Sequence, residues 1–269
     1  LGRAGVLEAE PMLGDEGLRG GAAYWDAATD DARLTLANAL DAAYASATVL
    51  NHCEVTALSC SRADGPVDGA VVRDLIGGGE VRVQARVVFN ATGPWTDEIA
   101  ALEGTQQGPA VRGTKGVHVA VPADRVGNRG AVTMLSPDDG RVMFTLPAGA
   151  HTIIGTTDTA TAEHPHDVRA SRADVRYLLN ACNRFFPAAA LTEDDVVAAW
   201  AGIRPLVART NTGDPGSASR EHAITTTAKG VLTVTGGKLT TYRAMAEQCV
   251  DAVVKRLGVR ARACDTTRA

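Results

Sequence analysis

The run Val231-Leu232-Thr233-Val234-Thr235-Gly236-Gly237-Lys238-Leu239-Thr240-Thr241-Tyr242-Arg243 changes its periodicity at the two glycines. Up to Thr235 the residues are of the β-type that a strand favours. From there Leu239, Tyr242, Ala246, Val250, Val253 and Leu257 form an apolar stripe at helical spacing, and Gly258 is placed to end the helix. A strand that feeds a helix through Gly-Gly can hold a ligand. The first amides of the helix and its dipole favour negative charge or an electron-rich oxygen, and glycine lets that group approach the backbone. Thr240 and Thr241 add hydroxyls. The same residues also suit an ordinary tight βα turn with a solvated Lys238, and physics alone leaves both readings open.

Working upstream, Ala223–Thr227 pairs with the Val231–Thr235 strand through Ala228-Lys229-Gly230. Val196–Ile203 reads as a further strand. Ser171 and Asp174 have capping-box spacing, Val175, Leu178, Leu179, Cys182 and Phe185 mark a helix face, and Pro187 stops that helix. Val117–Val121, Ala131–Leu135, Val142–Leu146 and Thr152–Gly155 are strands separated by turn residues, an antiparallel sheet. Val87-Val88-Phe89 reads as a strand buried on both faces, ending in Asn90-Ala91-Thr92-Gly93-Pro94-Trp95. Before it, Thr48–Leu50, Glu54–Leu58, Gly69–Val72 and Val81–Val83 form a β-meander. Asp30 N-caps an amphipathic helix over 31–47, Ala22–Trp25 is a short strand, and Leu1–Leu18 is weakly patterned. The order is that of a mixed α/β (α+β) chain. One domain contributes parallel elements at both ends, and an antiparallel platform is inserted between them.

With 269 residues, 45% of them hydrophobic, the chain has material for one large or two smaller cores. A net charge of -4 argues against a nucleic-acid partner, although two or three local cations can still hold a phosphate. Cys53, Cys60, Cys182, Cys249 and Cys264 are scattered without a CxxC pair, which speaks for a reducing compartment and against a disulfide framework or a zinc site. No apolar run approaches a membrane span, no signal peptide opens the chain, and the missing initial Met leads us to expect an internal fragment.

Arg204, in Gly202-Ile203-Arg204-Pro205-Leu206, stands at a strand end where a guanidinium fork suits a carboxylate or phosphate. Arg220 lies in a loop of Gly, Ser and Asn. Each is also the kind of arginine that is commonly just solvated. His118 sits on a strand whose alternate residues, Val117, Val119 and Val121, look buried, and a lone strand histidine is more often structural than catalytic. The other histidines lack metal-ligand spacing.

Taken in order, the motifs form a set. They are Tyr24-Trp25-Asp26, Asp30-Asp31-Ala32-Arg33-Leu34, Asn90–Trp95, Arg112-Gly113-Thr114-Lys115-Gly116-Val117-His118, Ile154-Gly155-Thr156-Thr157-Asp158-Thr159, Gly202–Leu206, and Gly236–Arg243. The set resembles the FAD-dependent glycerol-3-phosphate dehydrogenases from near Gly20 to about Leu257. The Asn-Ala-Thr-Gly-Pro-Trp element is shared with many amine and amino-acid oxidases of the same superfamily. The Asp-Asp-Ala-Arg-Leu and Gly-Gly-Lys-Leu-Thr-Thr-Tyr-Arg elements are more specific.

The resemblance implies a Rossmann-like FAD-binding domain interleaved with a substrate domain on an antiparallel β-sheet. Residues 1–23 would lead into the substrate domain, 24–97 and 226–258 belong to the FAD-binding domain, 98–225 form the substrate domain, and 259–269 begin a C-terminal region. It implies Val55 near the adenine, Ala91, Thr92 and Gly93 along the dinucleotide, and Gly237, Lys238, Leu239 and Thr240 beside the flavin. Arg204, Arg220 and Lys238 would surround the substrate phosphate, with His118 near flavin and substrate. The implied reaction is oxidation of sn-glycerol 3-phosphate to dihydroxyacetone phosphate by hydride transfer from C2 to FAD, with His118, Lys238 or a water taking the hydroxyl proton. Electrons would pass to a quinone or to oxygen. A cytoplasmic protein, peripheral on the inner face of the membrane, is expected. The family's glycine-rich GxGxxG turn is missing here, as is an N-terminal substrate arginine, so the segment alone is expected to bind FAD poorly, to be inactive and to aggregate. The competing readings are an amino-acid or secondary-amine oxidase of the same superfamily, and a non-catalytic module. Three cations around the substrate favour a phosphate.

Overall fold

The computed structural model describes residues 1–104, 110–208 and 221–266. In chain order its elements are α1 (Arg3–Ala9), α2 (Asp31–Tyr44), β1 (Cys53–Ser59), β2 (Gly69–Asp74), β3 (Glu80–Gln84), β4 (Phe89–Asn90), α3 (Thr96–Ala101), β5 (Val111–Pro122), α4 (Ala123–Val126), β6 (Val132–Leu135), β7 (Val142–Ala148), β8 (His151–Gly155), β9 (Thr159–Ala160), α5 (Arg172–Phe185), β10 (Ala198–Val207), β11 (His222–Thr226), β12 (Leu232–Gly236) and α6 (Tyr242–Leu257). The chain visits two compact units in turn. One holds Leu1–Ala23 and Arg112–Leu206, the other Tyr24–Val111 and the described residues after 220.

The first unit is an antiparallel platform with strand order β10-β5-β8-β7-β6, and β9 also pairs with β5. β5 sets its two faces. Val117, Val119 and Val121 are wholly buried and pack in one cluster with Met143, Ile154 and the α5 residues Leu178, Leu179 and Cys182. Each such side chain contributes about 1.5–3 kcal/mol when fully buried. Phe186, the residue after α5, fills this core, while Phe185 is only half-buried. Burial pushes the Cys182 thiol up to about 12, so it behaves as a small apolar side chain.

The α5 capping box forms: the Ser171 hydroxyl accepts from the Asp174 amide, and the Asp174 carboxylate accepts from the Ser171 amide. Asp174 has a second partner. Its Oδ2 accepts from Lys115 Nζ at 2.8 Å, with both side chains about nine-tenths buried. Burial alone would raise the Asp174 pKa, but the hydrogen bonds from Lys115 and Ser171 outweigh it and hold the carboxyl below its usual range.

In the second unit β1, β2 and β3 make the expected meander, with an irregularity between Val55 and Ala57. β11 and β12 form an antiparallel hairpin, and β4 lies parallel to β12, Leu232 opposite Phe89 and Thr233 opposite Asn90. The Asp30 side chain caps α2 by accepting from the Arg33 amide at 3.0 Å.

Several expectations fail. Val87–Phe89 is half-buried, and its ladder is only Phe89–Asn90, because β12 flanks it on one side. Neither Ala22–Trp25 nor Thr48–Leu50 is a strand, and Trp25 is fully exposed. The weakly patterned start contains α1, too short at seven residues to display a helical period. On α2, Leu36, Leu40 and Tyr44 are exposed. Of the stripe expected along 239–257, Leu239, Tyr242, Ala246 and Val250 are exposed, while Val253 and Leu257 are half-buried together with Met245 and Cys249. Ala and Val lie all round that helix, so spacing alone does not select the inner face.

Lys115→Met should lower stability by about 3–5 kcal/mol, because it strands a buried carboxylate. A carboxyl whose folded pKa is depressed stabilises above its usual value and ceases to do so as pH falls through the folded one. Thermal melts of both chains should therefore differ most above pH 3.8, the ordinary aspartate value, and converge as the solution is acidified below it.

Candidate functional site

In the platform unit, the alternation of β5 turns Gly116 and His118 away from the core lined by Val117 and Val119. β10 is the strand beside β5. Together the two strands border an open hollow lined by Gly116, His118, Trp200, Ala201, Gly202, Ile203 and Arg204. The structure thus brings together two of the residues singled out in the sequence, His118 and Arg204. The His118 ring stacks on the Trp200 indole, with centroids 5.7 Å apart and planes 14° from parallel.

Three oxygens of the described residues 156–158 hold Arg204. Nη1 donates to the Thr157 carbonyl at 3.1 Å and approaches Asp158 Oδ1 at 3.4 Å, while Nη2 donates to the Thr156 hydroxyl at 2.8 Å. The Arg204 and Asp158 side chains are each about one-third exposed, at 32% and 33%, so the ion pair is open to solvent and to a competing anion. Such an exposed pair contributes about 0–1 kcal/mol, a small cost for an incoming phosphate to displace.

Two glycines make room for these side chains. A Cβ on Gly116 would stand 2.5 Å from Arg204 Nη2, and one on Gly155 would stand 2.0 Å from His118 Cδ2. Neither glycine, nor Trp200, Thr156, Thr157 or Asp158, had a role assigned from sequence. The signal was present, since Gly116 sits between Lys115 and His118's strand neighbours and Gly155-Thr156-Thr157-Asp158 is a compact polar run. What was missing was the pairing of His118 with Gly155 across β5 and β8.

The second unit carries the other expected contacts. Because β4 and β12 are parallel, their carboxyl ends lie on one edge of their sheet. The loops that leave that edge contain Ala91–Gly93 and Gly237–Thr240. In open α/β sheets this is where ligands gather. Asn90 braces the first loop: its Oδ1 accepts from the Thr92 amide at 3.2 Å and hydroxyl at 2.7 Å, and its Nδ2 donates to the Thr96 carbonyl. In the second loop Gly236 and Gly237 have φ of 72° and 93°, conformations that side chains rarely adopt. A Cβ on Gly237 would also stand 2.4 Å from Met245 Cε, so the end of that methionine would have to move to admit a side chain.

Lys238, Leu239 and Thr240 are exposed and precede α6 through a short 3-10 turn, Leu239–Thr241. The expected helix therefore begins as 3-10 and becomes α-helical at Tyr242. Val55 lies on β1 with its side chain exposed. Arg220 lies outside the described residues. The exposed amides of a helix start and the braced loop on the same sheet edge are the kind of donor set that a dinucleotide's phosphates and ring carbonyls take. Among the described residues no group of His, Cys, Asp and Glu could hold a metal ion, and no helix is long and apolar enough to cross a membrane.

Over residues 1–243 the chain matches the DAO family, described as FAD dependent oxidoreductase. It is 41% identical over 261 residues to glycerol-3-phosphate dehydrogenase 2 of Mycobacterium tuberculosis, covering 96% of this chain and 43% of that protein. Its structure superimposes with a TM-score of 0.90 on the glycerol-3-phosphate dehydrogenase from Bacillus halodurans complexed with FAD, at 36% identity, covering 98% of this chain and 50% of that one. It also superimposes on L-proline dehydrogenase from P. horikoshii with a TM-score of 0.69 at 19% identity, covering 95% of this chain and 64% of that one, a likeness of fold alone. The chain spans about half the length of the relatives named for glycerol 3-phosphate.

Gly116→Ala tests the glycine cradle. Only the guanidinium at the end of the Arg204 side chain must shift, with no backbone in the way, so the melting temperature should barely move, while affinity for inorganic phosphate measured by calorimetry should fall about tenfold, ~1.4 kcal/mol.

Proposed function

The chain belongs to the FAD-dependent oxidoreductase family, and from that premise we propose that the protein carrying it oxidises sn-glycerol 3-phosphate to dihydroxyacetone phosphate with FAD as cofactor. The observation that carries the choice of substrate is the placing, in one open hollow, of a histidine beside an arginine whose ion pair with Asp158 is about one-third exposed. Similarity at 41% identity to a protein named for this activity supports it, as does the TM-score of 0.90 to a second.

In this reading the Arg204 guanidinium takes the phosphate through charge-assisted bonds, with the oxygens of Thr156 and Thr157 fixing its plane. His118 accepts the proton of the C2 hydroxyl, imidazole being a base suited to neutral pH. The Trp200 indole, stacked on that ring, limits its rotation. FAD, when bound, supplies the acceptor for the hydride that leaves C2. Val55, Ala91–Gly93 and Gly237–Thr240 would hold it, the last at the positive end of the α6 dipole. Arg220 and Lys238 are carried as further cations for the substrate on the family resemblance. On the same resemblance the proposal includes 24–97 and 226–258 as the FAD-binding domain, 98–225 as the substrate domain, a quinone as electron acceptor, and peripheral attachment to the inner face of the cytoplasmic membrane.

The test is to add glycerol 3-phosphate without air to the complete flavoprotein and follow the flavin band. Bleaching is expected, with Arg204→Ala lowering kcat/KM about 10- to 100-fold, the value of a charged hydrogen bond. Bleaching by glycine, sarcosine or proline, with none by glycerol 3-phosphate, would overturn the substrate in favour of an amine. A protein that retains no flavin would overturn the enzyme reading altogether.

A further inference from the structure

The hydrogen bonds around Thr157 form a device that the reaction scheme does not use. β8 pairs with β5 up to Gly155, opposite His118, and β9 takes up the pairing at Thr159, opposite Lys115. Between them Thr156-Thr157-Asp158 arches out of the ladder. A gap in a ladder leaves backbone groups of the neighbouring strand to be satisfied, and buried ones are costly to leave unpaired.

Here Thr157 closes the gap: its amide donates to the Val117 carbonyl at 3.4 Å, and its hydroxyl supplies two further bonds. Thr157 is buried, with 3% of its surface exposed. Its Oγ1 accepts from the Val117 amide at 3.0 Å and donates to the Lys115 carbonyl at 3.3 Å, standing in for a strand on both. Lys115 is itself tied to the start of α5 by its buried ion pair with Asp174. At the far end of the arch the Asp158 carbonyl accepts from the Arg141 guanidinium, and Arg141 also pairs with Asp139 at 3.2 Å. The arch is therefore pinned at its centre by Thr157 and at its exit by Arg141.

What it presents outward is the set of oxygens that hold Arg204: the Thr156 hydroxyl, the Thr157 carbonyl and the Asp158 carboxylate. The hydroxyl and the carbonyl of Thr157 thus face opposite tasks, one into the sheet and one toward the guanidinium. We infer that Thr157 is a positioning residue, whose buried hydroxyl locks the 156–158 arch so that Arg204 is oriented for an oxyanion. The inference deepens the proposed function and rests on it for the identity of the natural anion. It requires only that Arg204 bind some phosphate group. Because Thr157 acts through Arg204, removing its hydroxyl should weaken anion binding and leave chemistry on bound substrate nearly untouched.

The experiment compares wild type, Thr157→Val, Thr157→Ser and Arg204→Ala in the complete flavoprotein, with the double variant Thr157→Val/Arg204→Ala closing a cycle. Steady-state oxidation of glycerol 3-phosphate gives kcat and KM, and calorimetry with inorganic phosphate gives anion affinity independent of turnover. In Thr157→Val, KM and the phosphate Kd are expected to rise about tenfold while kcat stays within about threefold. Thr157→Ser, which keeps the hydroxyl, restores both. In the Arg204→Ala background, Thr157→Val adds no further loss of affinity. An unchanged phosphate Kd in folded Thr157→Val, or a full additional loss on top of Arg204→Ala, would overturn the inference.

Should Thr157→Val fail to fold, Thr156→Val removes the Nη2 acceptor from the half-buried side of the arch, and an unchanged phosphate Kd there overturns the inference equally. Wild type that binds phosphate through Arg204 yet fails to oxidise glycerol 3-phosphate would sink the substrate assignment alone. Wild type that binds no phosphate would sink this inference with it.

Discussion

Everything on the platform unit depends on the two-residue period of β5. Successive side chains of a strand point to opposite faces, so a single register decides which residues make the core and which meet a ligand. With Val117, Val119 and Val121 committed to the interior, Gly116 and His118 have no choice but the other face. Lys115 would be an exception, since its charge falls on the buried face, and the structure resolves this with Asp174. That one carboxylate ends the backbone problem of α5 and neutralises the lysine at the same atom, Oδ2. The helix start and the central strand are thereby tied at a fixed point, and the oxygens that hold Arg204 are built outward from it.

The glycines of the two units do different work. Gly236 and Gly237 are held at positive φ, where any side chain would be strained, and Gly237 also touches Met245. Gly116 and Gly155 are not at positive φ, and what they supply is absence of volume beneath a guanidinium and an imidazole. The first kind of glycine shapes a chain turn. The second kind shapes a binding surface, and its replacement would be felt in geometry before it was felt in stability.

Much of this was legible in the sequence, for physical reasons that also explain what was not. Alternation over 117–121 and the capping box at Ser171 and Asp174 are local signals, and both appear as read. The hairpin closed by Ala228-Lys229-Gly230 is equally local. Val87–Phe89 was misjudged because an apolar run does not say how many neighbours a strand has, and among the described residues β4 pairs with β12 alone. The inner face of α6 was only partly placed, with Val253 and Leu257 half-buried as expected, because Tyr242 and Val250 fit a helical stripe as well as Met245 and Cys249 do. His118 and Arg204 were picked out by residue type and family pattern. Their supports Gly116, Gly155, Trp200 and Thr157 became visible only once β5, β8 and β10 were side by side, since contacts across strands have no fixed spacing in sequence.

The short parallel ladder between β4 and β12 has a consequence in time. Phe89 meets Leu232, so the two halves of that sheet are separated by more than half of the chain, with the whole antiparallel platform made in between. On a ribosome adding ~5–20 residues per second, the segment ending at Asn90 waits on the order of ten seconds for its partner to be synthesised. During that wait the platform can complete its ladders, whose strands are close in sequence. The meander can close as well, but the edge from which the Ala91–Gly93 loop departs cannot. Formation of this edge is thus sequential by construction, since the β4–β12 pair cannot close until Leu232 and Thr233 have been made.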